Sequence, residues 1–248
     1  IREIAGRTRL HFGAVRGWVR SAFSKGGGRV FPYYESTERD LRMTVGIRCD
    51  ATPDIGAGHA MRCLGIGVEL RKLGVEVNFY GEFSIPWVTE RILGAGFGHS
   101  ELRNLDAPAA ELAEAGVRTV LHDSYQTTEL VLKSLNTNFN LFQMCDTPPS
   151  PGLPWHTIYP YFGGPENSPL ALSGPKYLPI RDSFIGTKNS GDFQQSEGVQ
   201  KLLILVGATD NFEEKVKMLE LVASVAPDVE IYLHVNEEDT KLNSYLLN

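Results

Sequence analysis

Short apolar runs alternate with amphipathic segments along most of this chain. The apolar runs predict strands over 43–50, 75–80, 119–122, 140–145, 201–206 and 230–234. Apolar positions at helical spacing predict helices over 59–73, 86–93, 107–115, 127–135 and 213–225. Strands that alternate with helices at such short intervals are typical of βαβ units. The sequence therefore predicts an α/β fold with parallel sheets.

Changes in composition divide the chain into four parts. Residues 1–42 form a basic extension, 43–186 a first α/β domain, 187–198 a polar linker, and 199–248 the start of a second domain. Prolines and glycines dominate 147–164, so we expect a long irregular segment there, on the side of the cleft. A complete second domain needs about 100 residues. Either the chain given is a fragment, or the second lobe is reduced.

The extension carries an amphipathic pattern. Between residues 1 and 29 it has one acid, Glu3, and seven basic residues (Arg2, Arg7, Arg9, Arg16, Arg20, Lys25, Arg29). Its apolar residues recur at helical spacing, so we expect a helix over 2–23 that buries Phe12, Val15, Trp18 and Val19. Residues 1–25 then dock on protein, lie on an anionic membrane surface, or form a partly disordered extension.

The amino-acid composition and the net charge argue against some classes of protein. The apolar content of 42% is enough for a core, and the net charge of −6 argues against a general nucleic-acid binder. The three cysteines, Cys49, Cys63 and Cys145, have no metal-type spacing, and their odd number argues against disulfides. We therefore expect a cytoplasmic protein with no metal site, either free in solution or peripheral to a membrane.

The loop after the first predicted strand holds the main candidate chemistry. Gly56 and Gly58 precede His59, which opens the next helix, at the strand end where open parallel sheets bind ligands. Helix N-termini attract anions, and histidine exchanges a proton near neutral pH. The alternative is a tight turn whose histidine only caps the helix. A dinucleotide site is disfavoured, because Met61 occupies the third glycine position and no ribose-binding acid follows.

Four segments, in order, share features with one family: 55–64 (IGAGHAMRCL), 120–125 (VLHDSY), 173–184 (SGPKYLPIRDSF) and 203–210 (LILVGATD). The chain resembles, over about residues 43–248, the UDP-sugar hydrolases of pseudaminic acid biosynthesis and the related spore-coat polysaccharide glycosyltransferase-like proteins. The resemblance implies a GT-B-like fold of two Rossmann-like domains, the second short or truncated here. It departs from the family at Ser124, where the hydrolases have histidine, and at Ala208, where they have a second glycine.

The resemblance also implies a reaction and its residues. A UDP-sugar hydrolase or glycosyltransferase cleaves the anomeric C–O bond, with His59 as the base, and needs no further cofactor. Asp123 orients His59 or binds substrate hydroxyls. The expected substrate-binding residues are Gly56, Gly58, Arg62, Tyr125, Gly207, Thr209, Asp210 and Asn211. Arg62 contacts substrate, holds a carboxylate, or forms an ordinary surface ion pair. The alternative function is a non-catalytic relative that serves as an interaction module.

One aromatic cluster stands outside these motifs. Trp155, Tyr159, Tyr161 and Phe162 follow each other closely in the proline-rich segment. They either stack on a sugar or base near the cleft or simply pack the loop.

Overall fold

The structure, a computed structural model, describes residues 44–164, 168–180, 201–205 and 212–233. The predicted N-terminal helix over 2–23 and the linker over 187–198 lie outside the described residues. So do the four expected substrate-binding residues of the second domain (Gly207, Thr209, Asp210, Asn211).

Seven parallel strands form one sheet in the order β3-β2-β1-β4-β5-β6-β7. Their bounds are β1 Thr44–Cys49, β2 Glu76–Gly81, β3 Gly98–Glu101, β4 Thr119–Asp123, β5 Asn140–Met144, β6 His156–Tyr159 and β7 Ala171–Ser173. From β1 the chain runs outward through β2 to β3, then returns to the other side of β1 as β4. This reversal of strand order between β1 and β4 is the Rossmann-like arrangement, and it confirms the predicted parallel α/β fold.

Helices cover both faces of this sheet. They are α1 Gly58–Lys72, α2 Pro86–Gly94, α3 Ala109–Glu114 and α4 Glu129–Asn138, followed by a 3₁₀ turn at Pro175–Tyr177. Neighbouring residues of one strand belong to opposite cores, since strand side chains alternate between faces. Phe79 packs with α1 and α2, whereas Tyr80 packs with α3 and α4. The two-sided burial explains why the central strands are apolar runs rather than alternating patterns.

Three strands, β3, β6 and β7, were not predicted. The prediction of an irregular segment over 147–164 is wrong where β6 lies within it. Residues His156–Tyr159 pair with β5 on one side and β7 on the other, and Thr157, Ile158 and Tyr159 are buried. Prolines and glycines on either side leave only four residues for this strand, too few to show a period. The edge strand β3, Gly98–Glu101, is largely exposed and carries no apolar run.

A second α/β unit follows in the chain. Strands β8 Lys201–Ile204 and β9 Glu230–Leu233 pair in parallel, with Lys201 opposite Glu230, and α5 Phe212–Val225 connects them. They form a sheet of their own, separate from the seven-stranded one. The predicted strand–helix–strand pattern in this part of the chain is therefore confirmed. No helix in the described parts of the chain is long and apolar enough to cross a membrane.

Candidate functional site

Three strands bring polar side chains to one edge of the seven-stranded sheet. The loop after β1 leads to His59 in the first turn of α1, β4 ends at Asp123, and Asp146 follows β5 by two residues. These are the carboxyl ends of neighbouring parallel strands, at the place where the strand order reverses. Open α/β sheets bind their ligands at this position. As the sequence predicts, His59 lies at the start of the helix after the first strand, and Asp123 lies at the end of β4.

His59 and Asp123 form a buried pair. His59 Nδ1 lies 3.0 Å from Asp123 Oδ1 and 3.2 Å from the Asp123 backbone oxygen. Both oxygens are acceptors, so Nδ1 carries the proton and Nε2 of the neutral ring keeps its lone pair. Nε2 is buried and has no hydrogen-bond partner among the described residues. Asp123 thus orients His59, one of the two roles expected for it, and leaves a basic nitrogen unused.

The charge of Asp123 sets the basicity of His59. Burial lowers the pKa of His59, but the hydrogen bond and negative charge of Asp123 outweigh it and raise this pKa above 6.5. Burial also raises the pKa of Asp123, yet the hydrogen bonds and charges of Arg62 and His59 bring it down to about 2. The pair therefore holds a permanent carboxylate beside an imidazole that titrates above its usual range.

Arg62 holds two carboxylates together. Its Nε and Nη2 donate to Asp123 at 2.5 Å each, while Nη1 and Nη2 donate to Asp146 at 2.6 and 3.0 Å. Four hydrogen bonds occupy four of its five N–H groups. Burial lowers the pKa of Arg62, but the two carboxylates raise it above its usual range. Of the three roles considered for Arg62, the structure shows that of holding carboxylates, and one N–H of Nη1 is left for a ligand.

Two tyrosines enclose this ion cluster. The Tyr125 ring lies edge-on to the His59 ring, with centroids 4.2 Å apart and planes at 81°. Hydrogen bonding to Asp146 raises the pKa of Tyr125, and the Tyr161 hydroxyl lies 3.3 Å from Asp146 Oδ1. Tyr125 is 69% exposed. A ligand that reaches His59 from solvent therefore contacts or displaces the Tyr125 ring.

Asp146 and Tyr161 were missed as site residues by the sequence analysis. Asp146 directly follows a predicted strand, as Asp123 does, and Asp50 is the last residue of another; that shared position is the signal that would have found Asp146. Tyr161 was named only as part of an aromatic cluster, because nothing in the sequence shows that β6 brings it next to β5.

A second buried ion pair, between Arg48 and Asp50, lies at the end of β1 and is linked to the ends of the neighbouring strands β2 and β4. Arg48 Nη1 lies 2.6 Å from Asp50 Oδ2, and both side chains are 3% exposed. Asp50 also accepts hydrogen bonds from the Glu82 backbone N–H after β2, at 2.9 Å, and from the Ser124 hydroxyl after β4, at 3.0 Å. Asp50, missed by the sequence analysis, therefore fixes the start of the loop that follows Asp123 and carries Tyr125.

His122 stays neutral beside this pair. Its Nε2 lies 2.7 Å from the Thr127 hydroxyl, and burial together with the charge of Arg48 lowers the pKa of His122 to about 3. It differs in this respect from His59, although both histidines are buried. Of these two histidines, His59 is the one whose ring has a carboxylate as hydrogen-bond partner, and this contact distinguishes their electrostatic environments.

The loop before α1 leaves open space beside His59. Gly56 has a φ of 81°, which glycine adopts without strain, whereas a Cβ at Gly58 would meet no atom within 4 Å. The residue preceding the helix is Ala57, without a side-chain cap, and the first turn has no acidic residue. The alternative in which His59 only caps the helix is wrong, since its side chain binds Asp123 instead.

No model of a known protein family matches the chain, and no curated protein matches it either. Within the described ranges, no group of three or more His, Cys, Asp or Glu side chains is arranged to hold a metal ion. What the described site offers chemically is one basic nitrogen, a fixed carboxylate pair and an uncapped helix start.

Proposed function

We propose that this protein acts on a nucleotide-activated sugar, as a hydrolase or glycosyltransferase that cleaves the anomeric C–O bond. The observation that carries the proposal is the buried His59 Nε2, which is unpaired among the described residues while Asp123 holds Nδ1. A general base needs a free lone pair and a fixed orientation, and the described contacts of His59 supply both.

His59 accepts the proton that the proposed reaction releases. Water, or an acceptor hydroxyl, loses its proton to Nε2 as its oxygen bonds to the anomeric carbon. The C–O bond to the diphosphate breaks, and the nucleoside diphosphate leaves with the electron pair. Positive charge appears on the imidazole only during the step, and the Asp123 carboxylate at 3.0 Å stabilises it.

Leaving-group binding draws on two parts of the chain. The uncapped start of α1 presents backbone N–H groups beside Gly56 and Gly58, and helix N-termini favour phosphate oxygens. The resemblance assigns further diphosphate contacts to the segment 207–211. Tyr125, exposed and against His59, is the side chain we propose to contact the sugar.

A panel of UDP-sugars, assayed for UDP release with and without sugar acceptors, tests the proposal. We expect His59→Asn to lower turnover by about 10²–10⁴-fold, the usual contribution of a general base, and to leave UDP affinity measured by calorimetry nearly unchanged. The wild-type profile should rise with pH through a value above 6.5, as His59 loses its proton. His99→Gln, on the edge strand β3, is the matched control and keeps full turnover.

Two results would overturn this function. Unchanged turnover in the His59 variant removes the assignment of the base. A wild-type chain that neither binds UDP nor releases it from any sugar of the panel would favour the interaction-module alternative instead.

A further inference from the structure

A pocket of about 380 Å³ opens between the ends of β6 and β7. It lies at the same carboxyl edge of the sheet as His59, and its volume falls within the range of about 300–1,000 Å³ typical of small-molecule sites. The side chains that give it chemical character are Tyr161, Phe162, Ser173, Lys176 and Tyr177.

Two polar groups of this pocket lack partners in the described part of the chain. The Ser173 hydroxyl is buried without a hydrogen-bond partner there, although buried hydroxyls are normally paired. Lys176 is exposed, its ammonium lies 4.9 Å from the centre of the Tyr177 ring, and no carboxylate of the described residues forms an ion pair with it. A ligand with an anionic group and with hydroxyls would satisfy both.

The apolar part of the pocket is flat and aromatic. Phe162 is 85% exposed, an unusual setting for a phenylalanine beside a polar pocket. The C–H face of a pyranose ring covers such a ring, while the sugar's hydroxyls remain free to bind polar groups. Aromatic, hydroxyl and ammonium groups in one pocket favour a charged sugar over an apolar ligand or an inorganic ion.

The pocket is joined to the His59 site through one side chain. Tyr161 lines the pocket, and its hydroxyl lies 3.3 Å from Asp146, which Arg62 ties to Asp123 and hence to His59. A sugar seated in the pocket would therefore contact Tyr161, whose hydroxyl donates to the outer member of the ion cluster, Asp146.

We propose that this pocket binds a pyranose bearing a carboxylate or a phosphate, with the anion on Lys176, a hydroxyl on Ser173 and the ring face on Phe162. This proposal rests on the proposed function only for the role of the bound sugar, which is either the glycosyl unit of the donor or the acceptor. The binding itself is measurable without turnover.

Saturation-transfer NMR and calorimetry on the full chain, with D-glucuronate, D-glucose 6-phosphate and D-glucose as probes, test the site. We expect the anionic sugars to bind with millimolar affinity, and D-glucose at least tenfold more weakly. Lys176→Gln should remove this preference, and Phe162→Ala should weaken all three sugars. Lys133→Gln, an exposed lysine on α4, is the matched control and leaves binding unchanged. The stronger of the two anionic probes distinguishes a carboxylate from a phosphate ligand.

The pocket proposal and the proposed function fail separately. Equal binding of the anionic sugars to wild type and to both pocket variants, or binding of the anionic sugars less than tenfold tighter than that of D-glucose, overturns the pocket. His59→Asn should bind glucuronate as the wild type does. Sugar binding without UDP-sugar turnover would therefore leave the pocket intact and reject only the function.

Discussion

Replacing Asp123 by Asn tests the centre of the site. Both carboxylate oxygens of Asp123 accept hydrogen bonds, Oδ1 from His59 and Arg62 and Oδ2 from Arg62 and the Cys63 thiol at 3.3 Å. The amide nitrogen of Asn is itself a hydrogen-bond donor. In either orientation of the Asn side chain, this nitrogen therefore faces groups that donated to the Asp123 carboxylate. The substitution removes the negative charge and, at the same time, leaves hydrogen bonds unmade.

The expected loss of stability follows from the pKa of Asp123. Its fall from 3.8 to about 2 corresponds, at about 1.4 kcal/mol per unit, to roughly 2–3 kcal/mol of stability carried by the charge. Removing one partner of a buried ion pair costs about 3–5 kcal/mol when the other is left alone. Arg62 keeps Asp146, at 2.6 and 3.0 Å, so we expect a loss of about 2–3 kcal/mol.

Urea unfolding at several pH values measures this loss. Because the pKa of Asp123 is depressed on folding, its contribution is complete above about pH 5 and is lost progressively as pH falls through the folded pKa of about 2. The difference between wild type and Asp123→Asn should therefore be largest near neutrality and shrink in acid. Asp106→Asn, an exposed aspartate, is the control and should change stability by less than about 0.5 kcal/mol.

The same variant should lower the pKa of His59. Without the Asp123 charge, burial and the positive charge of Arg62 are left to act on the imidazole, and both lower its pKa. An NMR titration of the imidazole nitrogens reports this pKa, and the wild-type spectrum also shows whether Nδ1 carries the proton. An unchanged His59 pKa, or a variant as stable as wild type at pH 7, would refute the proposed pairing.

Two further substitutions test the surroundings of the site. Gly81→Ala should destabilise the protein by about 3 kcal/mol or more in urea unfolding, because its Cβ would overlap the Cys49 carbonyl oxygen where β2 meets β1. Gly94→Ala, with open space around it, should not destabilise, and equal effects of the two would contradict the close approach. Tyr125→Ala should raise the pKa of His59 further by admitting water to its ring, whereas Tyr125→Phe should keep the His59 ring as buried as it is in the wild type. A lower pKa in the Ala variant, measured by NMR, would show that Tyr125 does not shield His59.

The sequence by itself determined the central part of the fold and the core of the site. Strands β1, β2, β4 and β5 are apolar runs because helices bury both their faces, and such runs are visible without the structure. His59 opens the helix after one predicted strand and Asp123 directly follows another, and the ends of parallel strands lie at one ligand-binding edge. The resemblance named the same two residues.

Only the tertiary structure decided which further residues complete the site. Strands β6 and β7 are too short for a period and exist because β5 offers an edge to pair with. Their pairing carries Tyr161 to Asp146 and creates the pocket around Lys176.

The role of Arg62 shows the same division. Its place three residues after His59 was visible in the sequence, but three roles were open to it. Its partners Asp123 and Asp146 lie 61 and 84 residues away in the chain, on separate strands. Hydrophobic periodicity is a local property and records which face of an element is buried. Contacts between strand ends depend on strand order, which forms only when distant segments pair.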